Sequence, residues 1–298
     1  MEADNFEHAY AELDGVRLHY ARAGEGELVV FVHGFPEFWY AWKNQLAEFS
    51  RDRLAVAYDT RGINLSSKPE AVSDYAPKHL IADLKGLIEH LGHQRAVVVG
   101  HDWGGVAAWA FALAHPDMVS KLVIINAPHP GVFTRLLRED RAQQKASGYM
   151  LKYRSAEAED YLLGDGCAEL RRSILDPGRA QGYFDDEDAT QYLAAWTQPG
   201  AMTAALNYYR AMRMTPPHKD GTQAETSEID PARLTVRVPT LVIWGMKDRF
   251  LLPQNLDGLE DYVPDLRVHH IAEGSHWVIH ECPEEVNRTI RSFLDGEI

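Results

Sequence analysis

One short stretch, residues 96–105, constrains the fold of this chain more than any other. It begins with Ala96-Val97-Val98-Val99, a β-branched apolar run that is typical of a buried strand. The turn Gly100-His101-Asp102-Trp103-Gly104-Gly105 follows, and then an apolar, alanine-rich segment that Pro116 ends, as expected of a helix. A strand that turns sharply at glycines into a helix lifts one side chain above the sheet. Here that side chain is Asp102.

Strands and helices alternate on both sides of this turn. We predict a surface hairpin over 9–12 and 16–23, with its turn at Asp14-Gly15. Further strands are predicted at 28–32, 54–59, 121–126, 238–245 and 267–271, and helices at 40–49, 78–92 and 283–294. This spacing predicts an α/β fold with a mostly parallel sheet that is covered by helices on both faces.

The alternation stops between residues 131 and 232. This stretch lacks buried strands and is rich in charged and aromatic residues, which predicts an α-helical insertion. We therefore expect a core formed by residues 1–130 and 233–298, and an inserted α-helical cap, or lid, formed by residues 131–232.

Composition excludes several classes of partner. The formal net charge of −14 at pH 7 argues against nucleic acids and anionic membranes as partners. No apolar run approaches the roughly 20 residues that a membrane-spanning helix needs. Cys167 and Cys282 are far apart in sequence and form no metal-binding pattern. The first residues are acidic and polar, unlike a signal peptide. We expect a cytoplasmic protein, and a homodimer is left open.

Two further loops complete a catalytic set with Asp102. Asp248 follows the predicted strand 238–245, and His276 follows the predicted strand 267–271. Side chains just beyond the carboxyl ends of parallel strands lie on the edge where α/β sites form. His276 can take a proton from water if its other ring nitrogen donates to Asp248. The backbone N–H groups of Phe35 and Trp103 are the expected oxyanion hole.

An aspartate as nucleophile restricts the reaction. Attack of a carboxylate on an ester gives a mixed anhydride, which is a poor intermediate. A carboxylate can instead displace a leaving group from a saturated carbon, which produces an ester of the enzyme that water must then hydrolyse. The expected substrates of Asp102 are therefore epoxides or alkyl halides. The competing interpretation, that Asp102 only caps a helix, does not explain Asp248 and His276.

The motifs of the chain resemble those of a known family. Gly100-His101-Asp102-Trp103-Gly104-Gly105, His33-Gly34-Phe35-Pro36-Glu37, Trp244-Gly245-x-x-Asp248 and Gly274-x-His276-Trp277 look like the motifs of epoxide hydrolases of the α/β-hydrolase superfamily. The resemblance covers nearly the whole chain. It implies the α/β-hydrolase fold, a small-molecule epoxide and water as substrates, and no metal or cofactor.

The resemblance also implies two acids in the lid, since family members protonate the epoxide oxygen with two lid tyrosines. Asn207-Tyr208-Tyr209-Arg210 resembles the second lid motif and identifies Tyr209. Gly148-Tyr149-Met150 resembles the first and identifies Tyr149, with Tyr153 as the alternative. Tyrosine suits this role because a pKa near 10 keeps it protonated at neutral pH. We expect the side chains of Trp103, Phe35 and Trp196 to line the substrate pocket.

Two other functions stay open from the residues alone. Haloalkane and haloacid dehalogenases share the Asp–His–Asp set but need N–H donors for the halide. One group has asparagine where this chain has Phe35, and another uses a second lid tryptophan, for which Trp196 is the candidate. Fluoroacetate dehalogenases have arginine where this chain has Trp103. The other alternative is a catalytically inactive binding protein of the same fold.

Overall fold

The computed structural model of the chain describes residues 6–217, 224 and 230–298. Within these residues, eight strands form one sheet in the order β1-β2-β4-β3-β5-β6-β7-β8. The strands are β1 Glu7–Leu13, β2 Val16–Ala23, β3 Leu28–Val32, β4 Leu54–Tyr58, β5 Ala96–His101, β6 Val119–Ile125, β7 Thr240–Gly245 and β8 Leu266–Ile271. The pairs β1·β2 and β2·β4 are antiparallel, and the other five pairs are parallel. The predicted mostly parallel α/β sheet is confirmed.

Helices connect and cover these strands. The helices that flank the sheet in the sequence are α1 Lys43–Phe49, α2 Pro77–His90, α3 Trp103–Ala114, α11 Val278–Glu281 and α12 Pro283–Asp295. The predicted helix over 40–49 divides into a 3₁₀ helix, Trp39–Trp42, followed by α1. None of the helices in the described ranges is both long and apolar enough to cross a membrane.

Strand β5, which leads into the Asp102 turn, and strand β3, which leads into the loop that contains Phe35, are buried along their whole length. Every residue of β3 and β5 is buried, and the two strands pair in parallel at the centre of the sheet. Continuous apolar runs are the expected pattern for parallel strands that are covered on both faces. This burial holds the carboxyl ends of β3 and β5, and therefore the loops that follow them, in a rigid position.

The segment between β6 and β7 is helical, as predicted. Its described residues include α4 Pro130–Glu139, α5 Arg141–Ala146, α6 Tyr149–Tyr153, α7 Ala158–Leu170, α8 Asp176–Gln181, α9 Asp186–Trp196 and α10 Ala201–Ala211, with a π-helical turn over Arg171–Leu175. Backbone angles depart from helical values inside α7, at 164–167. The predicted insertion also includes 218–223 and 225–229, which lie outside the described residues.

Polar contacts attach this helical segment to the sheet. The Tyr208 hydroxyl donates to the backbone carbonyl of Arg61 at 2.8 Å, and Nε2 of Gln198 donates to Oδ1 of Asn64 at 2.7 Å. Lys43 forms an ion pair with Asp188. The helices of residues 130–211 are therefore held against the loops that follow the parallel strands.

Candidate active site

The turn between β5 and α3 places Asp102 above the sheet. Asp102 has φ +51° and ψ −122°, a strained backbone conformation for a residue with a side chain. The turn can form because the chain crosses itself closely here. A Cβ atom on Gly104 would lie 1.9 Å from the carbonyl oxygen of Val32, at the end of β3. Only glycine at this position allows α3 to begin so close to the sheet.

The loop after β3 supplies a donor to the Asp102 carboxylate. The backbone N–H of Phe35 donates to Oδ1 of Asp102 at 2.7 Å. A Cβ atom on Gly34 would lie 2.4 Å from the same oxygen, so glycine is required for this approach. Nε2 of His33 accepts from the backbone N–H of Thr60 at 3.0 Å, which fixes the start of the loop. The N–H of Trp103, the other predicted donor, is the first amide of α3.

His276 lies between two aspartates. Its Nδ1 is 2.7 Å from Oδ2 of Asp248, and its Nε2 is 3.5 Å from Oδ2 of Asp102. Asp248 also accepts from the backbone N–H groups of Phe250 and Leu251, at 2.8 and 3.0 Å. The structure therefore brings the three predicted residues of the catalytic set together, with His276 oriented by Asp248.

Charge governs the protonation of this histidine. Burial opposes the charged ring, but the negative charges of Asp248 and Asp102 outweigh burial and raise the pKa of His276 to about 10. Burial likewise opposes the carboxylate of Asp248, yet the adjacent His276 lowers the pKa of Asp248 below its usual range. With both aspartates ionised, His276 is therefore an imidazolium at neutral pH.

Asn126 supports Asp248 and was not singled out from the sequence. Its Nδ2 donates to Oδ2 of Asp248 at 2.7 Å, and its Oδ1 accepts from the backbone N–H of Gly245 at 3.0 Å. Asn126 follows β6 directly and has φ +42°. The sequence signal for Asn126 is an asparagine directly after an apolar run, at the carboxyl end of a parallel strand. In the structure this side chain is fully buried.

A second buried group supports the loop of His276. Nε2 of His101 lies 2.8 Å from the backbone carbonyl of His276, and its Nδ1 lies 3.1 Å from Oε2 of Glu37. Glu37 also contacts Nε2 of His280 at 2.5 Å and accepts from the hydroxyl of Tyr192 at 3.0 Å. Burial opposes ionisation of Glu37, but His280 and His101 hold its pKa far below the usual range. These contacts give His101 a structural role beneath the turn that holds Asp102.

The lid tyrosines face Asp102 across a small cavity. The ring of Tyr209 packs edge-on against Trp103 and against Tyr149, with ring centres 5.1 and 6.1 Å apart. Burial raises the pKa of Tyr149 and of Tyr209 well above 10, and the charge of Asp102 raises each pKa further. Both hydroxyls are therefore held protonated beside a carboxylate.

Tyr149, rather than Tyr153, lines the cavity next to Asp102. The Tyr153 ring instead packs behind the other two tyrosines and against Phe35, with ring centres 5.2 to 5.3 Å apart. The cavity is small, and apart from Asp102 and the two tyrosine hydroxyls its walls are mainly apolar. Its lining residues are Asp102, Trp103, Val106, Pro128, Phe133, Tyr149, Met150, Tyr209, Met212 and Leu251.

The structure places Trp196 away from this cavity, and the Phe35 side chain is not among the lining residues either, contrary to the prediction that both line the substrate pocket. Its indole N–H donates to the backbone carbonyl of Pro36 at 2.5 Å, and its ring packs on Tyr192. It borders a separate, smaller cavity together with Ile63 and Met202. Because its N–H already has a backbone partner, Trp196 is not available to bind a halide or a substrate at Asp102.

The described part of the chain contains no group of three or more His, Cys, Asp or Glu side chains arranged to hold a metal ion. Its two cysteines are free thiols, and Cys167 is buried.

Comparisons with known proteins agree on the fold family of this chain. The model of the α/β-hydrolase fold family matches residues 27–283. The chain is 36% identical to AB hydrolase superfamily protein YfhM of Bacillus subtilis, over 97% of this chain and 98% of that protein. It is 33% identical to epoxide hydrolase 4 of Mus musculus, over 97% of this chain and 80% of that protein.

The solved structures include an epoxide hydrolase of Bacillus megaterium in complex with an inhibitor. It superposes with a TM-score of 0.89 at 39% sequence identity, over 96% of this chain and 100% of that chain. A mutant of an epoxide hydrolase from Bacillus megaterium, complexed with its product, a naphthyloxy-propane-1,2-diol, gives a TM-score of 0.89 at 38% identity, over 96% of this chain and 100% of that chain.

Proposed function

The chain belongs to the epoxide hydrolases of the α/β-hydrolase fold family and converts epoxides to vicinal diols, and we propose that it does so through an ester formed on Asp102. One observation carries this mechanism: the Asp102 carboxylate and the hydroxyls of Tyr149 and Tyr209 share one apolar cavity, with His276 and Asp248 behind the carboxylate.

In the first half of the reaction, Oδ2 of Asp102 attacks an epoxide carbon and the carbon–oxygen bond of the ring opens. Oδ1 keeps its hydrogen bond from the N–H of Phe35, and this bond fixes the orientation of the carboxylate. Tyr149 and Tyr209 hydrogen-bond the ring oxygen, and one of them transfers its proton as the negative charge develops. Their raised pKa values keep the protons in place until the epoxide arrives.

In the second half, water attacks the carbonyl carbon of the Asp102 ester while Nε2 of His276 takes a proton from it. The oxygen that becomes negative is the one already bonded to Phe35, and the N–H of Trp103 is its second donor. The ester bond to the substrate then breaks and His276 returns the proton to the leaving oxygen of the diol. The restored carboxylic acid of Asp102 loses its proton to the tyrosinate. His276, which released a proton to solvent before hydrolysis, takes one back from solvent once Asp102 is ionised again, and this balances the cycle.

Formation of the ester also prepares His276 to act as a base. Asp102 raises the pKa of His276 only while it is ionised, and the ester carries no charge. The pKa of His276 therefore falls when Asp102 is alkylated, and the neutral ring that hydrolysis needs becomes accessible. The negative charge of Asp102 thus keeps His276 protonated before the first step, and the first step removes that charge.

The helices over 130–211 act as the cap in this proposal, and Tyr149 and Tyr209 are its contribution to the chemistry. The apolar cavity favours a neutral, apolar epoxide, since it offers no cation for an anionic substituent among its lining residues. A halide site gains no support, because the N–H of Trp196 is bonded to Pro36 and the lid residues that line the cavity at Asp102 include two tyrosines and no tryptophan. The cytoplasmic location expected from the sequence stays a prediction, as does the homodimer that it left open.

A parallel assay with one aryl epoxide, one bromoalkane and chloroacetate tests this function. We expect the purified chain to form diol from the epoxide and to release no halide from the other two compounds. The variant Asp102→Asn is the control, since it removes the nucleophile with little change of shape. Halide release without diol formation would contradict the proposal.

A further inference from the structure

Gln143, in helix α5, is fully buried, and its side-chain amide uses all of its hydrogen-bonding capacity. Its Nε2 donates to the Ser147 hydroxyl at 2.9 Å and to the backbone carbonyl of Phe250 at 2.8 Å. Its Oε1 accepts from the backbone N–H of Leu252 at 2.9 Å and from Nδ2 of Asn255 at 2.8 Å. Because Phe250 offers only a carbonyl and Leu252 only an N–H, one orientation of the amide satisfies all four contacts.

These contacts join the cap to the loop that contains Asp248. Asp248 accepts from the N–H groups of Phe250 and Leu251, so the carboxylate fixes this loop from the side of the sheet. Gln143 fixes Phe250 and Leu252 from the side of the cap. The loop that orients the histidine is therefore held between one core side chain and one cap side chain.

Phe250 connects the Gln143 hydrogen bonds to the groups that are proposed to react. Its ring packs edge-on against His276, with ring centres 5.3 Å apart, and edge-on against Tyr149, with ring centres 5.4 Å apart. It thus separates the acid of the first step from the base of the second. A displacement of Phe250 changes the position of both groups relative to Asp102.

Gln143 also anchors the chain that leads into Tyr149. It bonds the hydroxyl of Ser147, and the backbone N–H of Ser147 bonds the carbonyl of Gln143 at 2.8 Å. The carbonyl of Ser147 in turn accepts from the N–H of Met150 at 3.0 Å, within the first turn of α6. The amide is therefore bonded both to Ser147, two residues before the start of α6, and to Phe250, whose ring contacts His276.

We propose that Gln143 is a positioning residue that couples the two halves of the reaction, by setting the distance of Tyr149 and of His276 from Asp102 through Phe250. This inference rests on the function proposed above, because it assigns Tyr149 to the first step and His276 to the second. Gln143 itself touches neither the substrate cavity nor a reacting atom.

Single-turnover kinetics with an aryl epoxide tests the proposal, with ester formation and ester hydrolysis followed separately. Gln143→Leu keeps a similar volume and removes all four hydrogen bonds. We expect it to slow both steps by about 10- to 100-fold, as misplacement of catalytic groups by up to about 1 Å does. It also shifts the pH dependence of hydrolysis to lower pH, because a loosened Asp248 loop stabilises the imidazolium of His276 less.

Gln144→Leu is the matched control. Gln144 is the adjacent glutamine of the same helix, and its Nε2 bonds only the carbonyls of Leu137 and Arg138 within the cap. We expect both rates and the pH profile to stay at wild-type values in this variant. Both variants are measured at a temperature at which circular dichroism shows them folded.

Gln143→Glu provides a second test, which also applies if Gln143→Leu does not fold. The ionised carboxylate faces the carbonyl of Phe250 and repels it, whereas the protonated carboxyl can donate to that carbonyl as the amide does. The rate of ester formation relative to wild type therefore rises as the pH falls. A ratio that is independent of pH, or wild-type rates in Gln143→Leu, would overturn the role of Gln143 while leaving the proposed function intact. Absence of an ester in the wild-type chain would overturn both.

Discussion

The backbone N–H of Phe35 donates to Oδ1 of Asp102 at 2.7 Å. This contact distinguishes the two oxygens of the carboxylate, because Oδ2 is the one that lies 3.5 Å from Nε2 of His276. In the proposed mechanism, Oδ1 is the oxygen that carries charge during hydrolysis, and Oδ2, which has no bond to Phe35, is the atom that attacks the epoxide.

The lid hydroxyls are expected to act in ester formation. Tyr149→Phe and Tyr209→Phe should each slow this step about 100-fold or more, because loss of a general acid has an effect of this size. Hydrolysis of the ester should change little. Tyr153→Phe is the matched control, since its ring packs in the same cluster but outside the cavity lining. Equal effects in all three variants, measured by rapid quench, would contradict the assignment.

The two steps should differ in their pH dependence. Hydrolysis needs neutral His276, so its rate should rise with pH through the pKa of this histidine in the ester. That pKa should lie below the value of about 10 that holds while Asp102 is ionised. Ester formation uses the Asp102 carboxylate and a tyrosine proton, so it should not show this rise. A common rise of both single-turnover rates near pH 10 would show that His276 acts in both.

His129 should make the fold sensitive to acid. Burial lowers the pKa of His129 from 6.5 to about 4, although its bond to the Leu234 carbonyl opposes this shift. The unfolded chain binds the proton first, so the stability present above pH 6.5 is lost as the pH falls towards 4. The full loss is roughly 3 kcal/mol in the free energy of unfolding.

Urea unfolding at pH 7 and at pH 4.5 measures this loss. His129→Asn is the control because asparagine does not titrate and can still accept from Gly131 at the start of α4. The variant should lose less free energy of unfolding between the two pH values than the wild type does. Equal losses would mean that other groups cause the acid sensitivity.

Much of the site could be predicted because its main residues lie at strand ends with local signals. Asp102 and Asp248 each follow a buried apolar run, His276 follows the edge strand β8, and the carboxyl ends of parallel strands meet at one edge of the sheet. The sheet itself was predicted for the same reason, since its central strands are continuous apolar runs. Tyr149 and Tyr209 came from resemblance to family motifs, because a helical segment rich in aromatic residues does not reveal which rings face the sheet.

Other residues act through partners that are distant in sequence, and local patterns do not show such partners. Asn126 reaches Asp248 across 122 positions, and Gln143 reaches Phe250 across 107. Trp196 was wrongly placed in the pocket for the same reason, because its partner is the carbonyl of Pro36, 160 positions away. These pairings are set by how the helices of residues 130–211 pack on the sheet, which depends on tertiary contacts.

The most direct test of the ester on Asp102 is one turnover of the wild-type chain in ¹⁸O-labelled water, with enzyme in excess over an aryl epoxide. If water attacks the carbonyl carbon of the ester, the label enters the carboxylate of Asp102, and the first diol released is unlabelled. Mass spectrometry of the peptide that contains Asp102 and of the diol measures both. Label in the diol, with none in the peptide, would mean that water opens the epoxide directly and would contradict the account.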